Sequence, residues 1–552
     1  MMTKIKVKPI SSLKKVLLHD NFYQLEPLTC IKAAKGERIS FQIAVKNLTA
    51  RKIHTSFKIC DEFEKYARMA KVGHVPVRLP AYEDADENYI SKTPGLYPDV
   101  LFPITENDRV PADISNTVTV WFTIDLPRTI KAGKHVISVD VTNDKEPEEV
   151  TTVKIELLVK KTVMPKNDII YTEWFHCDSI ADYFGVPMMS KKHWQYIEQF
   201  IKTAARTGIT MLLTPIFTPP LDTAIGGERP TMQLIGVTKT GDDYSFDFTL
   251  LDKWVGLCKK YGIKYYEISH LFTQWGVAFC PKIVVNVDGR DEKLFGWHTE
   301  AMSDGYKAFL SQLLPALTAH LKELGIADKC YFHISDEPSI KEGKPDYENY
   351  KAAKEFVAPY LEGFKMMDAL SQIEFYESGL VETPVPATNH IAPFLEKDIA
   401  ERWCYYCCSQ GKDVSNRFLA MPSARTRIIG SQLFLYDMAG FLQWGYNFYY
   451  CDRARYKVDP YQVTDGDNAW PSGDPFSVYP YNGTAIESVR SVVFYDALQD
   501  RMLFKALADK IGSDAAKQLI LDEANGVLTF SEYPTDESFV TRLHDKVLDI
   551  LG

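Results

Sequence analysis

Apolar and polar residues alternate in short runs over the first part of the chain. Four examples are ERISFQIAVKN, NTVTVWFTIDLP, GKHVISVDVTND and EVTTVKIELLVKK. Such period-two runs are typical of strands with one buried face, and Gly, Pro, Asn and Asp between them indicate turns. We therefore predict an antiparallel β-sandwich over residues 1–163.

Beyond residue 163 the pattern changes to buried apolar runs followed by amphipathic helical runs such as HWQYIEQFIKTAARTG. This order is typical of βα units around a parallel sheet. Eight strands separated by crossovers predict a (β/α)8 barrel of the TIM type over residues 164–511, with short connections after the fifth to seventh strands. A short helical tail follows over residues 512–552. The eight predicted strands are 169–178, 209–217, 263–272, 330–338, 364–370, 382–390, 402–410 and 440–450.

Composition narrows the classes of partner. A net charge of -10 argues against a nucleic-acid groove or an anionic membrane surface, since both need concentrated Lys and Arg. The amino-terminal segment MMTKIKVKPISSLKKVLL has no apolar stretch typical of a signal peptide, and the chain has no uncharged apolar run of about 18 residues. We expect a cytoplasmic protein that binds a small-molecule or oligosaccharide substrate, and neither nucleic acid nor a membrane.

Aromatic residues are abundant, with 30 Tyr, 30 Phe and 9 Trp. Flat apolar rings beside polar groups suit a carbohydrate pocket, although a large aromatic core explains the composition equally well.

The ten cysteines have no disulfide-like or metal-like spacing. Cys404, Cys407 and Cys408 come closest, but WCYYCC lacks a second Cys or His pair at a matching distance. We interpret them as buried structural thiols and expect neither a metal nor a cofactor.

Polar and aromatic residues gather where the predicted barrel strands end, which is where barrel enzymes place their chemistry. Trp275 and Trp444 could stack on a sugar, His176 and Asp178 could bind its hydroxyls, and Gln274 lies on the same rim. The candidate substrate-binding residues are Trp174, His176, Asp178, His270, Trp275, Asp368, Asn389, Tyr405, Tyr406, Trp444 and Asn447. Because side chains alternate along a strand, just one of the two tyrosines can face the barrel interior.

The segment HISDEPS at the fourth strand carries the candidate catalytic pair, Asp336 and Glu337. An arbitrary Asp-Glu pair more often caps a turn and forms a salt bridge. At the end of a buried barrel strand, however, Glu337 suits a general acid whose pKa is raised by an apolar pocket and by its neighbour. Asp336 is too close in sequence for an opposed nucleophile, so it suits the amide N–H of a substrate's 2-acetamido group.

Eight segments resemble, in order and spacing, bacterial proteins of glycoside hydrolase family 123. They are EWFHCDSIADYFGV, HLFTQWG, HISDEP, ATNHI, WCYYCCSQ, MPSARTRIIG, GFLQWGYNFYY and WPSGDPFSVYP. The resemblance implies a retaining β-N-acetylgalactosaminidase, acting on terminal N-acetylgalactosamine or a related N-acetylhexosamine through an oxazolinium intermediate. In that mechanism Asp336 orients and polarises the acetamido group, and Glu337 is the general acid and then the base.

Two alternatives are compatible with the same residues. One is a glycosidase for a sugar without an acetamido group, whose nucleophile lies on another strand, such as Glu173 or Asp368. The other is a carbohydrate-binding protein without catalysis on the same fold.

Overall fold

The computed structural model describes residues 4–114 and 116–552. Residues 1–3 and residue 115 of the predicted sandwich lie outside this part of the chain.

The amino-terminal strands form two five-stranded sheets, in the orders β1-β3-β8-β5-β6 and β2-β10-β9-β4-β7. Alternate residues of β3, Phe41, Ile43 and Val45, are buried between the sheets, as the period-two pattern predicts. One detail differs from the predicted antiparallel sandwich, because β2 pairs with β10 in parallel. The strands are β1 (Ile5–Ser11), β2 (Cys30–Lys35), β3 (Arg38–Asn47), β4 (Ile53–Ile59), β5 (Ala67–Val77), β6 (Gly95–Ile104), β7 (Val110–Ala112), β8 (Thr117–Asp125), β9 (Gly133–Asn143) and β10 (Glu146–Val163).

Fourteen further strands follow in the described chain. They are β11 (Ile170–Glu173), β12 (Met211–Thr214), β13 (Gly236–Thr240), β14 (Asp243–Asp247), β15 (Tyr265–Ile268), β16 (Ile283–Val287), β17 (Arg290–Phe295), β18 (Cys330–Phe332), β19 (Lys365–Leu370), β20 (Thr383–Pro386), β21 (Trp403–Tyr405), β22 (Gly440–Gln443), β23 (Val478–Tyr481) and β24 (Thr484–Glu487). Strands β13, β14, β16 and β17 make a separate four-stranded sheet that the sequence did not predict, and β23 and β24 form a hairpin.

Eight of these strands, β11, β12, β15 and β18 to β22, form a nearly closed parallel barrel in sequence order. Each lies within one of the eight predicted runs. Closure between β20 and β21 rests on a single bridge, Ala387 to Tyr405. The fold is therefore mixed α/β, with a sheet-rich amino-terminal part, the barrel and a helical carboxy-terminal tail.

Helices surround the barrel, and α2 shows why they form. Its Ser190 cap accepts the His193 N–H, and apolar residues with helical spacing, including Ile197 and Phe200, face the core. The predicted short connections after β19 and β20 hold the single turns α6 and α7, but the connection after β21, residues 406–439, is long and holds α8 and α9. The helices are α1 (Cys177–Phe184), α2 (Lys191–Arg206), α3 (Thr249–Tyr261), α4 (Asp304–Glu323), α5 (Asp346–Val357), α6 (Glu374–Glu377), α7 (Ala392–Leu395), α8 (Ser423–Arg427), α9 (Ile429–Leu435), α10 (Val489–Ile511), α11 (Ser513–Glu523) and α12 (Glu537–Leu551). Among the described helices, each is too short or too polar to cross a bilayer.

The sandwich and the barrel share a buried interface. Asp99 of β6 forms an ion pair with Arg490 of α10 at 2.9 Å, and neither side chain is exposed to solvent. The Tyr479 hydroxyl donates to the same carboxylate at 2.7 Å. Arg490 also donates to the backbone carbonyls of Gly473 (2.6 Å) and Phe476 (2.9 Å), in the long loop before β23. One sandwich residue thus fixes a loop of the barrel.

Candidate active site

A pocket opens at the carboxyl end of the barrel strands, with a volume of about 550 Å³ that includes space open to solvent. This is where ligands bind in parallel barrels. Six predicted site residues line it: Trp174, Trp275, Asp336, Glu337, Tyr405 and Trp444.

Asp336 lies in this pocket with 7% of its surface exposed. Its carboxylate makes no hydrogen bond to any described residue, and the Asp336 carbonyl accepts the Trp275 N–H at 3.1 Å. Burial raises the pKa of Asp336 well above its usual value, and the adjacent charge of Glu337 adds to the shift.

Glu337 is held by contacts to two other barrel strands. Its Oε1 accepts the Tyr405 hydroxyl at 2.7 Å, and its N–H donates to the Ala369 carbonyl of β19 at 3.1 Å. The backbone of Glu337 has a φ of 45°, in the left-handed region. Consecutive residues of a regular strand point to opposite faces, so this conformation is what allows both carboxylates to line one pocket.

Left-handed backbone recurs around the pocket. Asp222 (φ 47°) and Trp275 (φ 58°) line it together with Glu337. Each of the three N–H groups donates a hydrogen bond: Asp222 to the Gln274 Oε1 at 2.7 Å, Trp275 to Asp336, and Glu337 to Ala369. Gly, Asn and Asp adopt this conformation more readily than other residues, so the strain falls on Trp275 and Glu337, and such strain concentrates at functional sites.

Tryptophans form the apolar walls. The Trp174 indole donates to Glu267 at 2.6 Å, and the Trp444 indole donates to Asp474 at 2.7 Å. Trp470 packs edge-on against Trp444 with ring centroids 5.1 Å apart. Trp275 stands at the mouth with 47% of its surface exposed. Rings fixed by their N–H groups present rigid apolar faces to a ligand.

A wider groove of about 1100 Å³ adjoins the pocket, and Trp275, Glu337 and Tyr405 line both. Polar and basic residues dominate the rest of the groove, among them Lys341 and Arg453. Glu337 thus stands between the inner pocket and the outer groove.

Comparison with known proteins identifies the family. The family profile described as glycoside hydrolase 123, catalytic domain, matches residues 174–507, which is more than half of the chain. The chain belongs to glycoside hydrolase family 123. No protein with a curated description matches it.

Among solved structures, a family 123 glycoside hydrolase from Clostridium perfringens, described for glycolipid glycan hydrolysis, has a TM-score of 0.75 and 16% identity over 99% of this chain and 98% of that chain. A glycosyl hydrolase family 2 member from Bacteroides cellulosilyticus reaches a TM-score of 0.27 and 10% identity, covering 75% of this chain and 44% of that chain. A putative β-galactosidase from Bacteroides fragilis reaches 0.26 and 9% identity, covering 77% and 57%. The first match shows that the family 123 fold extends over the sandwich as well as the barrel.

Three predicted site residues of this family 123 chain support the pocket from outside it. Arg229 forms a buried ion pair with Asp178 at 2.8 Å and donates to the His176 Nδ1 at 3.1 Å. Burial, reinforced by Arg229, lowers the pKa of His176 to about 3. The Asn447 amide bonds both backbone groups of His176, at 2.9 and 3.0 Å. His176, Asp178 and Asn447 do not line the pocket.

His270 and Asp368 are also absent from the pocket lining. They belong to a buried cluster in which His333 donates to Asp368 and to Glu267, both at 2.9 Å. Burial alone would lower the pKa of His333, but these two bonds raise it to about 10. His270 stacks on His333 with ring centroids 4.2 Å apart.

The donor atoms of His270, His333 and Asp368 lie within 4.8 Å of one another, a spacing that a metal ion could bridge. Both ring nitrogens of His333 are already donors to carboxylates, so this imidazolium has no lone pair for a metal. The hydrogen bonding of the cluster therefore does not fit a metal site.

The side chains of Tyr405 and Tyr406 point to opposite sides of the barrel wall, as expected for consecutive residues of a strand. Tyr405 lines the pocket, whereas Tyr406 faces outward and packs on Phe441 with ring centroids 4.9 Å apart. Asn389 is exposed and accepts the Gln410 amide at 2.8 Å, outside the pocket.

Glu173 is bound at 2.5 Å to the buried Arg417 and at 2.6 Å to Ser477. Neither Glu173 nor Asp368, the two nucleophiles considered for an alternative mechanism, lines the pocket.

Six pocket residues were not predicted as site residues: Asp222, Ala369, Cys407, Cys408, Leu442 and Trp470. Asp222 and Trp470 lie in irregular loops after β12 and β22, where no periodic pattern marks them. All ten cysteines are free thiols within the described chain, but Cys30 and Cys60 are exposed, contrary to the interpretation as buried thiols. Cys404 is buried, as interpreted, but Cys407 and Cys408 line the pocket, because the chain leaves the strand after Tyr405.

Proposed function

We propose that the chain is a retaining glycoside hydrolase that removes a terminal β-linked N-acetylgalactosamine, or a related N-acetylhexosamine, by substrate-assisted catalysis. One observation carries the proposal: two consecutive carboxylates line the same tryptophan-walled pocket of a family 123 fold. Glycoside cleavage needs a proton donor at the leaving oxygen and stabilisation of positive charge at the anomeric carbon.

The position of Glu337 supports its role as the acid. It stands between the pocket and the groove, where the bond between a bound sugar and its leaving group would lie. Glu337 donates its proton to the glycosidic oxygen as the C–O bond breaks, while the substrate's acetamido oxygen bonds to the anomeric carbon. Glu337 then takes a proton from the water that opens the oxazolinium ion, and two inversions give retention.

The surroundings of Asp336 support its role toward the acetamido group. Its carboxylate has no partner in the described protein, so it is free to accept the amide N–H of the substrate. In its ionised form the Asp336 carboxylate also stabilises the positive charge of the oxazolinium intermediate. A covalent enzyme intermediate has less support, because Glu173 and Asp368 are bound elsewhere.

The first test compares Asp336→Asn and Glu337→Gln on an aryl 2-acetamido-β-glycoside. We expect each to lower kcat by about 10²–10⁴-fold, the usual contribution of a general acid or a charge stabiliser. The loss for Glu337→Gln should shrink on a highly activated leaving group, which needs no proton, whereas the loss for Asp336→Asn should persist. Glu342→Gln, an exposed neighbour, is the matched control. Wild-type rates in both variants would refute the assignment.

The second test concerns the intermediate. Nuclear magnetic resonance should show that the sugar released first is the β-anomer, and a thiazoline analogue of the oxazoline should inhibit competitively with an affinity well above that of the substrate. Trapping of a covalent adduct with a 2-fluoro sugar would instead support an enzyme nucleophile.

A further inference from the structure

Asp222 and Gln274 form a polar pair in the pocket wall that the proposed chemistry does not use. The Asp222 N–H donates to the Gln274 Oε1 at 2.7 Å, so one atom of the amide is fixed. The other atom, Nε2, has no hydrogen-bond partner in the described chain, and neither has the Asp222 Oδ2, although both are shielded from solvent.

Unpaired buried polar atoms destabilise a protein and are rare in native structures. Here an unpaired acceptor and an unpaired donor belong to two residues joined by a hydrogen bond, both on the pocket lining. Asp222 is also held in left-handed backbone, with a φ of 47°. Two unpaired buried atoms side by side on the lining of a ligand pocket indicate a partner supplied by the ligand.

A sugar hydroxyl has the complementary chemistry, since its O–H donates and its lone pairs accept. Asp336 and Glu337 account for the acetamido group at C2 and the oxygen at C1, which leaves the hydroxyls at C3, C4 and C6. We propose that Asp222 and Gln274 bind one of these three hydroxyls of the terminal sugar. The O–H donates to the Asp222 Oδ2, and the Gln274 Nε2 donates to the hydroxyl oxygen.

The proposal rests on the function proposed above and makes Asp222 a specificity-determining residue. A site built to pair with a hydroxyl rejects a sugar that lacks it, because its own polar groups are then left unpaired. Asp222 would therefore select both the identity and the configuration of the terminal N-acetylhexosamine.

The test combines Asp222→Asn with aryl 2-acetamido-β-glycosides whose sugar is intact or lacks the hydroxyl at C3, C4 or C6. Asn tolerates positive φ, so this variant is compatible with the fold. On wild type, we expect one deoxy sugar to lose about 10²-fold in kcat/KM. With Asp222→Asn, kcat/KM for the intact sugar should fall by a similar factor relative to wild type. For the deoxy sugar that lacks the contacted hydroxyl, Asp222→Asn should not lower kcat/KM further, because the hydroxyl and Asp222 are the two partners of one contact.

Asp452→Asn is the control, because it removes a charge near Asp222 from a residue that does not line the pocket. It should leave the ranking of the four sugars unchanged. Losses that multiply for all three deoxy sugars, an unchanged Asp222→Asn variant, or a covalent sugar adduct on Asp222 would each overturn the proposal.

Calorimetric binding of the same four sugars, as free N-acetylhexosamines, separates this proposal from the proposed function. Binding that depends on one hydroxyl in wild type and not in Asp222→Asn would support the subsite even if no glycoside were hydrolysed. Hydrolysis of the intact glycoside with equal binding of all four sugars would support the enzyme and refute the subsite.

Discussion

Burial, together with the negative charge of Asp452, raises the pKa of Asp222 to about 7. In an unfolded chain the pKa of an aspartate is about 3.9. Between these values the folded protein keeps a proton that the unfolded chain releases, so Asp222 makes folding less favourable as pH rises from about 4 to about 7. Above about pH 7 the destabilisation by ionised Asp222 no longer increases with pH.

Replacing Asp222 by Asn should remove this cost. We expect Asp222→Asn to increase the free energy of unfolding at pH 8 by up to about 4 kcal/mol. This is the free energy that corresponds to a pKa of about 3.9 in the unfolded chain and about 7 in the folded protein. At pH 4 the change should be small, because the carboxyl is then largely protonated in the folded protein. Urea unfolding at both values measures the difference, and an equal change at pH 4 and pH 8 would contradict the assigned pKa.

The sequence predicted pocket residues correctly where charged residues directly follow the apolar run of a strand, as Asp336 and Glu337 do. Where a strand stops earlier than its apolar run, periodicity does not predict which side chains line the pocket. β11 ends at Glu173 and α1 begins at Cys177, so His176 and Asp178 lie at a helix start, where they contact Arg229 outside the pocket lining. Sequence periodicity does not mark the point at which a strand bends into a loop, and it gives no signal for Asp222.

At the scale of elements, the contact between β21 and β22 depends on a glycine. Gly440 of β22 pairs with Trp403 of β21, and a Cβ at Gly440 would lie 2.1 Å from the Trp403 ring. This contact lies beside the weakly bridged joint between β20 and β21.

Gly440→Ala should therefore lower the free energy of unfolding by about 1–3 kcal/mol, the usual cost of overpacking. The control is Gly256→Ala in the exposed face of α3, where a Cβ meets nothing within 4 Å. There alanine should stabilise the protein by up to about 1 kcal/mol, because it is a better helix former. Denaturant unfolding of the two variants should give shifts of opposite sign, and a stabilised Gly440→Ala would show that Trp403 can move aside.

Elements with buried surfaces could be predicted from the sequence, and the rest could not. All eight barrel strands are almost entirely buried, because parallel strands are covered on both faces. The sheet of β13, β14, β16 and β17 was missed, since strands such as Asp243–Asp247 are short, polar and partly exposed. The parallel pairing of β2 with β10 depends on contacts distant in sequence, which local periodicity does not record.

At the scale of the whole molecule, the ion pair of Asp99 and Arg490 joins the sandwich to the barrel. Removing one partner of a buried pair leaves an uncompensated charge. Asp99→Ala should therefore lower the free energy of unfolding by about 3–5 kcal/mol.

Glu106→Ala, which removes a partner of the exposed Lys58, is the control and should change stability little. Urea unfolding followed by tryptophan fluorescence measures both. A loss for Asp99→Ala no larger than that for Glu106→Ala would show that solvent reaches the interface.

The Arg490 guanidinium, which forms the ion pair with Asp99, also donates to the carbonyls of Gly473 and Phe476. Between these two residues lies Asp474, which accepts the hydrogen bond of the Trp444 indole. The amino-terminal part contributes no described residue to the pocket lining, yet through Arg490 it helps to fix the orientation of the Trp444 ring in that lining. A chimaera in which another domain replaced the amino-terminal sheets would therefore need a new anionic partner for Arg490 to keep the Trp444 wall of the pocket in place.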